Sequence, residues 1–389
     1  MSPKEVTRRQ LLREAAGLAA AASAGAVVAC SLDDAFPNAG GQWATSVDPL
    51  CAGGSEDGEA AETSTLGGGA NTDSGPSTLT STVVAVQASS SAMQNANGSV
   101  SIDAAVVQEM VDGALSSLAG DIENPWSVLL PDYKAGMRIG LKVNGLNPHL
   151  GTHAEVVSAV INSLATHLNV NPAEQVLVWE MYLDYMTRLP GYSSEAFGGA
   201  KIVGTLNSST AQGGGGGPGY RQDPCANIPG LFSSSPRLST ILVDETDLTI
   251  NMPVLKTHAA VSGVTGALKN SYGMIDTPSS YHIPFTAEAL PAIYGMAPIR
   301  QSIRLTILDG LQAVINGQTS DFPNDLPKTL LMSRDPVALD AYVVDFINQR
   351  RAAAVPPYDP LDTTLLGWLP NAERLGLGTQ NYQLLSLNV

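Results

Sequence analysis

The sequence predicts an α/β fold: a largely parallel, mixed sheet with flanking helices, preceded by a disordered tether. Three observations carry that reading. Apolar runs of strand length recur from Thr82 to Ser333. Segments with apolar residues three and four apart stand between them. The two kinds of segment alternate along the chain, as in proteins whose helices cover a parallel sheet.

Thr82–Val86 (TVVAV) has the β-branched, apolar composition of a buried strand. Over Ile102–Leu118, Val106, Val107, Met110, Val111, Ala114, Leu115 and Leu118 recur at helical spacing. Gly136–Val143 (GMRIGLKV) reads as a strand, Ala154–Leu168 as an amphipathic helix, and Gln175–Glu180 (QVLVWE) as a strand. Together they form a βαβ unit, with parallel strands and a right-handed crossover expected. Lys201–Thr205, Leu238–Val243, Leu248–Met252, Arg304–Leu308 and Thr329–Ser333 are further runs of strand length. Asp335-Pro336 pairs an N-cap acid with proline at the first helical position, opening a helix over Val337–Arg350. Five consecutive glycines within Gln212–Arg221 predict an exposed loop, and lack the spacing of a phosphate-binding loop.

The chain has 389 residues, 44% hydrophobic and 14% charged, enough for one large or two ordinary domains. Its net charge of −16 comes without a basic stripe, which argues against nucleic acid as a partner. A small anion held by a few local cations remains compatible with that balance. The cysteines, Cys30, Cys51 and Cys225, show no CxxC spacing, so no cysteine-ligated iron–sulfur cluster or zinc ribbon is expected. Cys51 and Cys225 can pair in an oxidising compartment.

Residues 1–30 read as a signal peptide. Thr7-Arg8-Arg9-Gln10-Leu11-Leu12 precedes an Ala/Gly-rich apolar run from Ala15 to Val28, and the paired arginines suggest the twin-arginine export machinery. The run is too short and too weakly apolar for a stable membrane span. Val27-Val28-Ala29-Cys30 resembles a lipobox with Cys30 as the lipidated residue; the alternative is an ordinary cut near Ala29. Residues 31–80 hold eight acids and no Lys or Arg, with few large apolar residues, and are expected to be a disordered acidic tether. The body then spans 81–389. An exported, extracytoplasmic protein on the periplasmic or envelope side follows, touching membrane only through a lipid at Cys30.

The most informative stretch is Ile250–Gly273, INMPVLKTHAAVSGVTGALKNSYG. Two of the chain's seven lysines, Lys256 and Lys269, fall here beside His258 and Asn270, in a segment that otherwise reads as buried. Cations are seldom buried unless paired or used in chemistry. Ser262 is expected to cap a short helix with Val264, Leu268 and Tyr272 on its apolar side and Gly273 as its stop, so that Thr265 and Lys269 share a face. Its N-terminus would suit an anion. Two lysines near one desolvated pocket depress each other's pKa, making one a candidate base or amine nucleophile. His258 is a candidate proton carrier or metal ligand. Lys142, Asn144, Glu180, Asp184, Asp309 and Asp335 lie at or beyond strand ends, where ligands bind in parallel sheets. His149, His153 and His167 read as structural or solvated.

The pattern N-x-P-x-L-K-T-H followed by T-G-A-L-K-N-x-Y-G resembles the core of a prokaryotic domain-of-unknown-function family, number 362. Gly140-Leu141-Lys142-Val143-Asn144, Tyr281-His282, Leu308-Asp309-Gly310, Arg334 to Asp340 and the tail Ala372 to Gly378 support the likeness, which covers most of the chain from Val84 onward. It implies Lys142, Asn144, Lys256, His258, Lys269, Asn270, His282, Asp309, Asp335 and Asp340 as the residue set. The resemblance supplies no activity. Members often carry ferredoxin-like iron–sulfur modules, for which this chain lacks the cysteines, and Asn316-Gly317-Gln318 stands where a glycine-proline segment is expected. The layout is also similar to lactate racemase, which implies proton abstraction beside a carboxylate.

Two readings follow. In the first, an exported enzyme acts on a small anionic substrate, a carboxylate or phosphate. Lys256 and Lys269 hold the anion, His258 or His282 moves a proton, and Asp309 and Asp335 orient them or help bind a metal ion. In the second, a lipid-tethered binding or accessory protein holds the same anion without transforming it.

Overall fold

A computed structural model describes residues 80–120, 123–228 and 235–389. The signal, Cys30 and all but the last residue of the tether lie outside them. In chain order, the strands of the main sheet are β1 (Ser81–Gln87), β2 (Ile139–Val143), β3 (Val176–Tyr182), β4 (Lys201–Leu206) and β5 (Leu248–Met252). β6 (Val254–His258), β7 (Gly263–Thr265), β8 (Ile303–Val314), β9 (Thr329–Ser333) and β10 (Tyr382–Asn388) complete it. The path runs β10-β1-β9-β8-β5-β2-β3-β4, and β6 branches off to pair with β7 and β8. β9 is antiparallel to both β1 and β8, whereas every other pairing along the path is parallel. The carboxyl ends of β2, β3, β5 and β8 therefore share one edge, and that of β9 lies at the other.

The helices are α1 (Ala104–Ala119), α2 (Ala154–Leu168), α3 (Thr286–Tyr294), α4 (Pro336–Ala353) and α5 (Trp368–Arg374). Asp103 caps α1 by accepting from the amides of Ala105 and Val106, and Asp335 caps α4 through those of Val337 and Ala338. Strand side chains alternate between faces, and both faces here are covered. Val84 and Val86 of β1, with Ile139, Leu141 and Val143 of β2, pack against α1 and α2. Val83 and Ala85 join the opposite core, with Trp179 of β3 and residues of α3, α4 and α5. Burial on both sides is why these strands read as unbroken apolar runs.

Three local expectations are corrected. Leu238–Val243 forms only a two-residue strand, Leu238–Ser239, before a π-helical turn over Ile241–Glu245. Ser262 does not start a helix; β7 follows it and pairs antiparallel with β6, matching Lys256 with Thr265 and His258 with Gly263. Gly263, Thr265 and Gly266 are poor helix formers, and the hairpin satisfies the backbone of β6 instead. Within this stretch only Lys269–Met274 turns helically, as a short 3₁₀ segment, so the stretch itself offers an anion no helix N-terminus of useful length. The glycine run is a loop as expected, with positive φ at all five residues.

Candidate functional site

The site begins as a polar row inside the sheet. Lys142 of β2 is in register with Asn251 of β5, and Asn251 with Thr306 of β8. All three side chains are buried. Their neighbours Ile139, Leu141, Val143, Ile250, Met252, Leu305 and Ile307 face the α1/α2 core, so alternation turns the polar row to the opposite side. Asn270 sits on this row. Its Nδ2 donates to the Lys142 carbonyl at 3.2 Å and to Asn251 Oδ1 at 2.8 Å, while its Oδ1 accepts from Asn144 Nδ2 at 3.0 Å. Asn144 Oδ1 in turn accepts from Lys256 Nζ at 2.7 Å. Two amides, Asn270 and Asn144, thus link the Lys142 backbone carbonyl to the Lys256 amine.

Lys142 Nζ pairs with Glu180 Oε1 at 3.1 Å and donates to the Val143 carbonyl at 2.8 Å. Gly273 lies directly against this pair: a Cβ there would come within 2.7 Å of Lys142 Nζ and 3.3 Å of Glu180 Oε1. Burial lowers the Lys142 pKa, with Glu180 opposing the shift by charge and hydrogen bond.

Lys256 is 1% exposed and Lys269 8%. Among the described residues, neither has a carboxylate in ion-pair contact. Desolvation brings Lys256 down to about 7; the charge of Glu180 opposes this and that of Lys142 adds to it. The second cation acting on Lys256 is therefore Lys142, rather than the expected Lys269. Lys269 Nζ lies 2.8 Å from His282 Nε2 and 3.2 Å from the Tyr272 ring centroid. The ring face favours an ammonium, but burial dominates and holds the amine well below its usual range. The rings of His258 and His282 meet edge to face, with centroids 5.7 Å apart. Burial and the nearby lysines lower His258 to about 3, and burial with Lys269 lowers His282 to about 4. The buried Nδ1 of His258 has no hydrogen-bond partner. Burial thus favours the neutral forms of Lys269, His258 and His282, whose imidazoles are half-buried.

Asp309 is engaged elsewhere on the same edge. Its Oδ2 accepts from the His153 amide and lies 2.7 Å from His153 Nδ1, and its Oδ1 accepts from the Leu311 amide. Burial opposes protonation of His153, yet the Asp309 charge and the bonds to Asp309 and Gln312 raise it to about 9. His153 is thus the partner that sequence reasoning passed over as structural or solvated. The only signal was its place at the start of an amphipathic helix following a strand end.

Asp335 and Asp340 stand apart from the lysines. Asp335 follows β9, the antiparallel strand, so it lies at the opposite edge; it caps α4 and accepts from Ser81 Oγ and the Thr379 amide. Asp340, fully buried, accepts from the amides of Ala267 and Leu268 and thereby fixes the turn that presents Lys269 and Asn270. Burial raises its pKa to about 7 against those two bonds. Among the described residues, no group of three or more His, Cys, Asp or Glu side chains is placed to hold a metal ion. A cavity of about 420 Å³ lies between α4, α5 and β10, lined by Val344, Asp345, Leu366 and Tyr382 among others.

Comparison with known proteins adds one family match. Residues 218–345 match the model of DUF362, a domain of unknown function. That span holds Lys256, His258, Lys269, Asn270, His282 and Asp309, but not Lys142, Asn144 or Glu180. It is narrower than the stretch from Val84 onward that the motif resemblance implied. No curated protein matches the chain. A crystal structure of a protein from Thermotoga maritima is similar at 12% identity with a TM-score of 0.35, over 64% of this chain and 59% of that one. This chain therefore spans about three fifths of the solved protein it matches.

Proposed function

We propose, for a chain whose residues 218–345 match the model of DUF362, an enzyme acting on a small carboxylate- or phosphate-bearing molecule. One observation carries this reading: Lys256 and Lys269 are buried amines without a carboxylate partner among the described residues. A protonated amine in such surroundings is costly unless paired, and an incoming anion supplies the missing charge. Lys256, oriented by Asn144 and Asn270, is the cationic anchor. His258, with an unsatisfied Nδ1, and His282, against Lys269, carry the proton. Asp309 acts at one remove, by holding His153.

The same reading places the protein outside the cytoplasm, exported by the twin-arginine route and anchored by a lipid at Cys30. The arginine pair and lipobox-like end of residues 1–30 support it. Among the described residues, no helix is long and apolar enough to cross a membrane.

The test compares variants on a panel of hydroxy, oxo and phosphorylated acids. Lys256→Met should weaken anion binding by about tenfold, while His258→Ala should keep it and lower turnover by about 10²–10⁴-fold, the usual worth of a general acid or base. If His258→Ala leaves every function untouched while Lys256→Ala and Lys269→Ala weaken binding, the protein is a binder rather than an enzyme.

A further inference from the structure

We propose that Lys269 is a Schiff-base lysine, and that the substrate class is a small 2-oxo acid bearing a carbonyl beside its carboxylate. This rests on the anion-site reading and assigns the two amines different work. Lys256, two residues before His258 on β6, shares its side of the strand and anchors the carboxylate. Lys269 faces a different environment: an imidazole nitrogen at 2.8 Å and an aromatic face at 3.2 Å, with no acid in contact. An amine kept neutral by burial has a free lone pair, which is what attack on a carbonyl carbon requires. A neutral amine is also a poor anchor for an anion, so a substrate with only a carboxylate leaves Lys269 without a role.

The surroundings supply the proton traffic. As the Lys269 nitrogen attacks the carbonyl carbon, the C=O electron pair moves to oxygen, which takes a proton from an imidazole, and the nitrogen releases one to His282 Nε2. The carbinolamine then loses its hydroxyl as water, protonated from the histidine pair, while the nitrogen gives its second proton back to that pair and a C=N bond forms. Amine plus carbonyl gives imine plus water, and no oxidant or reductant takes part. His282 contacts the nitrogen directly, while His258 stands one ring away with an unpartnered Nδ1. Both rings are half-buried and Ala259 and Ala260 beyond them are exposed, so Lys269 lies nearer to solvent than Lys256.

The experiment incubates the full chain with pyruvate or glyoxylate and cyanoborohydride, then maps adducts by peptide mass spectrometry. The expected result is a reduced adduct at Lys269, formed at least ten times faster than at Lys134, Lys201 or Lys328. It should be absent in Lys269→Arg and should require about tenfold more pyruvate in Lys256→Met. Circular dichroism confirms that each variant is folded, and Lys269→Gln serves if Lys269→Arg is not. Oxalate binding, measured in parallel, separates this inference from its premise. Oxalate bound without a Lys269 adduct overturns the Schiff base alone. Neither oxalate binding nor adduct overturns both. Labelling spread evenly over all lysines also refutes a dedicated nucleophile.

Discussion

At the scale of single residues, the decisive fact is that three lysines lie inside a folded body with one carboxylate among them. Glu180 neutralises Lys142, and Gly273 leaves just enough room for that pair. Removing one member of a buried pair strands the other charge, at a cost of about 3–5 kcal/mol. Glu180→Ala should therefore lower the unfolding free energy by that amount in a urea titration, and a Glu180→Met, Lys142→Met double variant should recover most of it. An unchanged midpoint in Glu180→Ala would show that the pair does not carry the site. Lys256, His258 and Lys269 were legible in the sequence because cations stand out in an apolar segment. The partner of Lys142 was not, because Glu180 is 38 residues away and reads as an ordinary strand-end acid. His153 escaped for a similar reason: nothing local announces a bond to Asp309 across 156 positions.

At the scale of elements, the sequence marked most strands and helices, including α2 to the residue and the capped start of α4. Two features lay beyond it. Strand direction is not written in composition, so β9 looked like its parallel neighbours, and Asp335 was grouped with a site it faces away from. Ser262–Gly273 reads as a helix because Val264, Leu268 and Tyr272 fall four apart, a spacing produced here by β7, the second strand of the hairpin, followed by a 3₁₀ turn. The correction is testable. Asp335→Ala removes the cap of α4 and should destabilise the protein by about 1–2 kcal/mol in the same titration, with affinity for oxalate or inorganic phosphate unchanged. Loss of anion affinity in a folded Asp335→Ala protein would return this residue to the site.

At the scale of the whole molecule, the sheet's parallel strands deliver residues from four distant segments to one edge, and the double covering of the sheet removes water from them. That desolvation couples anion binding to protonation. Lys256 is held near 7 when free, below its ordinary value of 10.5. An anion beside it favours the ammonium, so the complex must bind a proton at any pH between the free and the raised value. Calorimetric titration of the full chain with oxalate, in buffers of differing ionisation enthalpy, reads this directly. Uptake of close to one proton at pH 8, shrinking towards zero at pH 6 and missing in Lys256→Met, is the outcome this account requires. Binding that takes up no proton at pH 8, or uptake that persists in Lys256→Met, would contradict it.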